Sequence, residues 1–449
     1  MKYIATLILV LGFSLLAALP NYYPLTSIAE DFCATWCGGC QLAFAGLDVV
    51  HANTHHGEFV SARLYTESAD LSSPSVDDRF SHYEVIGIPA VIFNGKTRID
   101  GSNDQTSNGG AYYNALRPYL HGTSPVKINI ASFNSATGVI YGTVEMLSPT
   151  LSLVDDDLYL YLVEDELSFQ DTHVTRQVIN QTISLSGAGS TYDFAATFSI
   201  NPAWNQGNLW AVAFIQRPDN AILQTAHTLP LPTYQVRAAF DWDNYIVSEP
   251  SVQNYNSQPF WIFNPGASDN FTTRIEVEEA PADWYFNYCD EDGNCYPGNT
   301  PIPITLASGE AKEFHLNLWI GSSGLAKFRF VVNSPNLGDY EVPFRFRTSD
   351  LVSGNDPLSP QLTFSLESNY PNPFRSLTTI SVNATKAIDA ATVDIYNLKG
   401  QKVDSVVLRA LTPGANTMQW SPSSDLPSGI YFQKLRGSNA PAGRMLLSK

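Results

Sequence analysis

The sequence predicts a multidomain chain, α/β at its N-terminal side and all-β thereafter, and three observations predict it. The chain has 449 residues, which at roughly 150 residues per domain is about three domains. Strand and helix patterns alternate over residues 21–122. From Val126 onward short strands recur between turn signals at regular spacing, the pattern of β-sandwiches. The formal charge is −18 and only 15% of residues are charged. That balance excludes the basic footprint nucleic-acid binding needs and fits a secreted, β-rich protein.

The first 20 residues read as a secretory signal. Lys2 is the charged start, residues 4–18 are the apolar core, and Ala17 and Ala18 are the small residues near a cleavage site. The alternative is an uncleaved anchor, but the run is short for a span and is followed by Pro20. No later stretch is apolar enough to cross a bilayer as a helix. An apolar run, Ile28-Ala29-Glu30-Asp31-Phe32, then leads to Cys37-Gly38-Gly39-Cys40 and a helical pattern over 41–53. A strand that turns into a helix at Cys-x-x-Cys puts the first sulfur at a helix N-terminus. Unpaired N–H groups and the helix dipole favour a thiolate there. Residues 59–65 read as a strand, 77–83 as a short helix, and 90–93 with 96–99 as a hairpin closed by Asn94-Gly95. Residues 111–120 read as a closing helix interrupted by Pro118.

Asp31-Phe32-x-Ala34-x-Trp36-Cys37-x-x-Cys40 resembles the active-site segment of the thioredoxin superfamily. Val85-Ile86-Gly87-Ile88-Pro89, with the hairpin after it, resembles that family's second signature. The resemblance implies a thioredoxin-like fold over 21–122 and thiol–disulfide exchange on protein substrates. Cys37 would be the nucleophile and Cys40 the resolving thiol. Asp31, six residues before Cys37, would be the buried acid that relays a proton. Pro89 would be the cis-proline against the cysteine pair. Trp36 would wall the site, and the backbone of Ile88 would bind an extended substrate segment. The sequence departs from thioredoxin proper in Gly38-Gly39, where the family has Gly-Pro, and in Cys33, where it has an aromatic residue.

Five cysteines are present. Pairing Cys37 with Cys40 and Cys289 with Cys295 leaves Cys33 as a bystander or as a third thiol that exchanges with Cys37. Cys33-x-x-x-Cys37-x-x-Cys40 also has the spacing of iron–sulfur ligands in radical enzymes, an assignment at odds with a secreted chain. His51 and His55 could share a helical face beside His56 as zinc ligands; the blander reading is a surface pair at a helix end. No cofactor and no metal are expected.

Residues 126–233 and 234–349 read as two β-sandwich domains. Strand candidates in the first are 126–130, 139–146, 158–164 and 210–216. In the second, Cys289-Asp290-Glu291-Asp292-Gly293-Asn294-Cys295 reads as a hairpin tip closed by a disulfide. A Ca²⁺ loop is the alternative, but ligands at the required spacing are missing. Residues 350–361, rich in Ser, Pro, Gly and Asn, read as a linker.

Residues 362–449 read by alternation as a small Ig-like sandwich. Tyr370-Pro371-Asn372-Pro373-Phe374, Gly400-Gln401-Lys402-Val403, Ser428-Gly429-Ile430-Tyr431 and the Arg444-to-Lys449 end resemble the sorting domain of type IX secretion cargo. That resemblance implies recognition by the type IX secretion machinery, passage through the outer membrane, removal of the domain and, often, attachment of the cargo to a surface lipopolysaccharide. Taken whole, the chain resembles thioredoxin-like proteins associated with the outer membrane.

Two functional expectations follow. One is an exported thiol–disulfide oxidoreductase. The other is a non-enzymatic surface binding or structural protein that uses the thioredoxin fold as a scaffold, with Cys37–Cys40 as a permanent disulfide.

Overall fold

The computed structural model describes residues 21–68, 70–103, 105–167, 172–248, 253–348, 364–366, 369–384, 388–397, 402–412, 414–423, 426–435 and 443–448. The expected signal segment 1–20 and linker 350–361 lie outside them. Among the described residues no helix is long and apolar enough to cross a membrane.

The chain begins with β1 (Tyr23–Pro24), β2 (Ser27–Cys33), α1 (Gly38–His51), β3 (Phe59–Tyr65), α2 (Pro74–His82), β4 (Ala90–Phe93), β5 (Thr97–Asp100) and α3 (Gln105–Leu116). Helix α1 buries Cys40, Ala43, Phe44, Leu47 and Val50, one stripe at helical spacing. Its crossing with α3 is close: a Cβ on Gly46 would lie 2.7 Å from Asn108 Cβ. The β4–β5 hairpin turns at Asn94 and Gly95, with φ of 45° and 71°, the positive values a two-residue type I′ turn demands.

A short β6 (Thr123–Ser124) pairs with β1. Then come β7 (Val126–Asn134), β8 (Val139–Met146), β9 (Ser152–Glu164), β10 (Val174–Ser186), β11 (Thr191–Thr197), β12 (Leu209–Gln216) and β13 (Ile222–His227). Strands β11-β8-β7 form a three-stranded sheet. It packs through Val126, Ile140, Val144, Met146 and Phe194 on Leu158, Leu160, Leu162, Ala213 and Ile215.

The third unit holds β14 (Arg237–Ala239), β15 (Tyr245–Ser248), β16 (Gln253–Asn256), β17 (Phe260–Phe263), β18 (Asp269–Glu279), β19 (Tyr285–Asp290), β20 (Cys295–Pro297), β21 (Ile302–Leu306), β22 (Ala311–Ile320), β23 (Leu325–Ser334) and β24 (Gly338–Thr348). One sheet runs β14-β17-β22-β19-β20 with β16 also on β22, the other β15-β24-β23-β18-β21. Their inner faces close over a core rich in phenylalanine, including Phe260, Phe314, Phe328, Phe330 and Phe344. The last unit holds β25 (Phe364–Leu366), β26 (Thr378–Ala384), β27 (Ile388–Asn397), β28 (Lys402–Leu411), β29 (Gly414–Trp420), β30 (Gly429–Leu435) and β31 (Gly443–Leu447). They form a three-stranded and a four-stranded sheet.

This architecture corrects the expected fold class, a thioredoxin-like α/β fold followed by two β-sandwich-like domains and a small Ig-like sandwich. The described residues are predominantly β, with 54% strand and 10% helix. Its N-terminal strands are not the sheet of a self-contained α/β fold. They are half of one eight-stranded sheet, ordered β13-β12-β9-β10-β3-β2-β4-β5. Strand β3 would otherwise be an open edge, a row of unpaired backbone groups that needs cover. Strand β10 covers it: Val174 pairs in parallel with Arg63, and the Arg63 N–H donates to His173 C=O at 2.8 Å. The core beneath is shared, with Ile28, Phe32 and Leu64 packed in one cluster with Tyr159, Tyr161, Val212 and Phe214. Alternation in a strand reports that a face is buried and not what buries it.

The β3–β10 seam has one ladder pair, and side chains reinforce it. Ser61 Oγ on β3 lies 2.9 Å from His51 Nε2 on α1 and 3.0 Å from His173 Nδ1 beside β10. Burial pushes His51 down to about 3 and His173 down to about 4, helped by Arg63. Both imidazoles are therefore neutral in the folded protein near pH 6.5, where free histidines begin to charge. Below that pH the unfolded chain binds protons that the folded chain refuses, so stability falls with pH until the folded values are reached. The expected loss approaches about 1.4 kcal/mol per pH unit for each imidazole. Urea midpoints at pH 6.5, 5.5 and 4.5 should therefore drop less steeply for His51→Gln than for the native protein. An unchanged slope would remove His51 from the acid response.

Candidate functional site

Strand β2 ends at Cys33, and three residues turn the chain into α1. Cys37 is the helix N-cap with extended φ and ψ of −84° and 99°. Its Sγ accepts the Cys40 backbone N–H at 3.1 Å. The two cysteines are joined by a disulfide with Cα atoms 5.4 Å apart. Cys40, one turn into the helix, is completely buried, whereas the neighbouring Trp36 is 65% exposed. Residues 35, 36 and 38 are exposed, so the pair is approached from the Cys37 side.

Pro89 follows a cis Ile88–Pro89 bond. A Cβ placed on Gly39 would lie 3.4 Å from Pro89 Cδ and 2.7 Å from Ser102 Oγ. Gly39 is thus the residue through which the helix start touches the proline loop, and any side chain there must displace Ser102. Ile88 is half-buried and packs against the apolar cluster of Cys33, Ala34, Cys37, Cys40, Phe44, Tyr65 and Val174. Cys37, Cys40, Pro89 and Ile88 are therefore one neighbourhood. Cys33 belongs to it too, with its Sγ donating to Leu64 C=O at 3.5 Å.

Asp31 lies two residues before Cys33 on β2, so the strand period puts it on the same side of the sheet, beneath α1. It is completely buried, and neither carboxyl oxygen has a hydrogen-bond partner. Arg63 Nε is 3.9 Å away, with the guanidinium 3.8 Å over the Phe44 ring. Burial raises the carboxyl to about 7, against the pull of Arg63. A carboxyl that exchanges its proton near neutral pH is suited to acid–base work.

Sequence reasoning missed Arg63 and Ser102. Arg63 had a signal, a lone charge within the apolar run Phe59-Val60-Ser61-Ala62-Arg63-Leu64; Ser102 had none. His51 and His55 have different partners. His51 bonds Ser61, while His55 packs on the Tyr340 ring, centroids 4.4 Å apart. Cys289 and Cys295 form the second disulfide, closing the β19–β20 hairpin. The Asp290 carboxylate accepts the backbone N–H of Asp292 and Asn294 and the Tyr296 hydroxyl. Lys312 lies 3.5 Å from it.

In the C-terminal sandwich, Phe374 is buried among Ile380, Val393, Ile395, Trp420, Tyr431, Met445 and Leu447. Its backbone N–H donates to Leu446 C=O at 3.0 Å, and Ser448 N–H donates back to Phe374 C=O at 2.8 Å. Asn372 Oδ1 accepts the Leu446 N–H at 2.8 Å. The Tyr370-to-Phe374 segment thus runs along the last strand and, through the backbone pair Tyr370–Thr379, ties it to β26 of the facing sheet.

Residues 368–446 match the family described as a secretion system C-terminal sorting domain. The chain is therefore handled by the type IX secretion machinery and exported to the cell surface or extracellular space. No curated protein matches the chain. Among solved structures, dimeric latent PorU from Porphyromonas gingivalis is 12% identical over 86% of this chain and 39% of that chain, with a TM-score of 0.18. The N-terminal domain of PorA is 16% identical over 26% of this chain and 98% of that chain, with a TM-score of 0.19. Scores this low carry no argument about fold or function.

Proposed function

We propose that the exported protein performs thiol–disulfide exchange at Cys37–Cys40. The observation that supports this reading is the place of Cys37, at the N-terminus of α1 with its sulfur on the Cys40 N–H. That hydrogen bond and the helix dipole stabilise a Cys37 thiolate once the pair is reduced. The thiolate attacks one sulfur of a substrate disulfide, forming a mixed disulfide and releasing the other substrate sulfur as a thiolate. Cys40 then gives up its proton, with Asp31 as acceptor, and attacks Cys37 Sγ. The Cys37–Cys40 disulfide forms and the second substrate thiolate leaves. Run backwards, the same steps oxidise a substrate dithiol. Trp36 and Ile88 would flank the substrate segment, and Pro89 would seat it.

The test is a dithiol titration of the mature protein with mass mapping of the sulfurs. A potential between about −270 and −120 mV places the pair among exchange-active dithiols. Cys37→Ser should then abolish exchange with a model protein disulfide. A value well below about −300 mV would make the pair a structural crosslink and leave a binding or structural role.

A further inference from the structure

Strands β16, β22 and β19 lie side by side and antiparallel. Directly opposed residues in such a sheet point to the same side. The register therefore lays two rows of three across the outer face, Asn254–Trp319–Tyr285 and Asn256–Asn317–Asn287. Leu316, Leu318 and Ile320, which alternate with them on β22, are buried in the sandwich core. Strands about 4.8 Å apart and alternate residues about 6.8 Å apart give a flat patch of about 10 by 7 Å.

Its chemistry is unspent. Trp319 is 42% exposed and Tyr285 68% exposed. The other tryptophans of this unit are engaged: Trp242 and Trp284 donate to the carbonyls of Pro259 and Ser322, and Trp261 meets Tyr22 edge to face. Trp319 and Tyr285 have no such ring or hydrogen-bond partner among the described residues, and the four asparagine side chains bond nothing within them. Asn287 Oδ1 is even enclosed without a hydrogen-bond partner, a state folded proteins rarely leave unexplained. Neither row contains a Lys, Arg, Asp or Glu.

We propose that this face binds a neutral polysaccharide. A pyranose presents an apolar C–H face that stacks on an indole or phenol ring. Its rim of hydroxyls both donates and accepts, as side-chain amides do. A charged glycan would find no countercharge in the two rows. A protein partner or a second copy of the chain would need about 800 Å² of matched surface, roughly ten times the area of this patch.

The test is affinity electrophoresis of the mature protein through gels containing a soluble β-glucan, a galactomannan or dextran, with alginate as the anionic comparison. Retardation is expected in at least one neutral gel. Trp319→Ala and Asn317→Ala should each weaken it at least tenfold, and Tyr285→Phe, which keeps the ring, should not. Circular dichroism melting confirms that the variants fold; if Trp319→Ala does not, Asn317→Ala decides. No retardation in any neutral gel, retardation in alginate alone, or retardation untouched by the folded variants would overturn the proposal. A dimer in sedimentation that Trp319→Ala dissolves would overturn it in favour of self-association.

Discussion

Replacing Arg79 with methionine is expected to destabilise the protein by about 3–5 kcal/mol, the cost of leaving a buried charge without its partner. Arg79 on α2 is almost fully buried, and Glu30 on β2 completely so. The guanidinium donates from Nε to Glu30 Oε1 at 3.0 Å and from its second terminal nitrogen to both Glu30 oxygens at 2.9 Å. The remaining terminal nitrogen donates to Gln216 Oε1 on β12 at 3.0 Å. The hydroxyls of Tyr83 and Tyr161 also donate to Glu30, and the Tyr159 ring lies 4.1 Å from the guanidinium carbon. This network ties β2 and α2 to β9 and β12, the two halves of the eight-stranded sheet. In the methionine variant Glu30 stays in an apolar core with no cation. Removing that charge as well, in Glu30→Gln/Arg79→Met, should recover part of the loss, because the uncompensated charge is most of the penalty. Denaturant unfolding of the three proteins is the measurement. A loss below about 1 kcal/mol in Arg79→Met would mean that water or another cation reaches Glu30.

Deleting residues 368–446 is expected to remove the protein from the cell surface and leave it in the periplasm. Protease accessibility on whole cells, followed by fractionation, reads the result directly. Surface display of the truncated chain at native levels would show that another segment carries the export signal. A point variant refines the test. Phe374 is at once a core side chain and the backbone staple of the last strand. Phe374→Ala should cost about 3–5 kcal/mol, more than a sandwich this small can spare. It should therefore mimic the deletion while leaving the rest of the chain folded. Display of Phe374→Ala at native levels would show that the machinery needs neither this side chain nor the folded sandwich it holds.

Features built from neighbouring residues were readable before any fold was known. Asn94-Gly95 specified its hairpin turn because those residues accept positive φ. Cys37-Gly38-Gly39-Cys40 specified a sulfur at a helix start because the strand pattern stops and the helix pattern begins there. Cys289 and Cys295, six residues apart around a glycine turn, specified a clipped hairpin. The sorting tail was legible because its recurring segments fall in a fixed order, and the family match confirms it. Features that depend on distant partners emerged with the folded chain. The pairing of β3 with β10 turned an expected separate α/β domain into half of a larger sheet. Glu30 and Asp31 are adjacent in sequence, yet the pleat sends them to opposite faces. One meets Arg79 and the other Arg63. Trp319 and Tyr285 became neighbours through a register that no local pattern announces. Turns, caps and short loops are fixed by chain geometry within a few residues. Strand partners and buried charge pairs are fixed by which surfaces exclude water together, and that is a property of the whole chain.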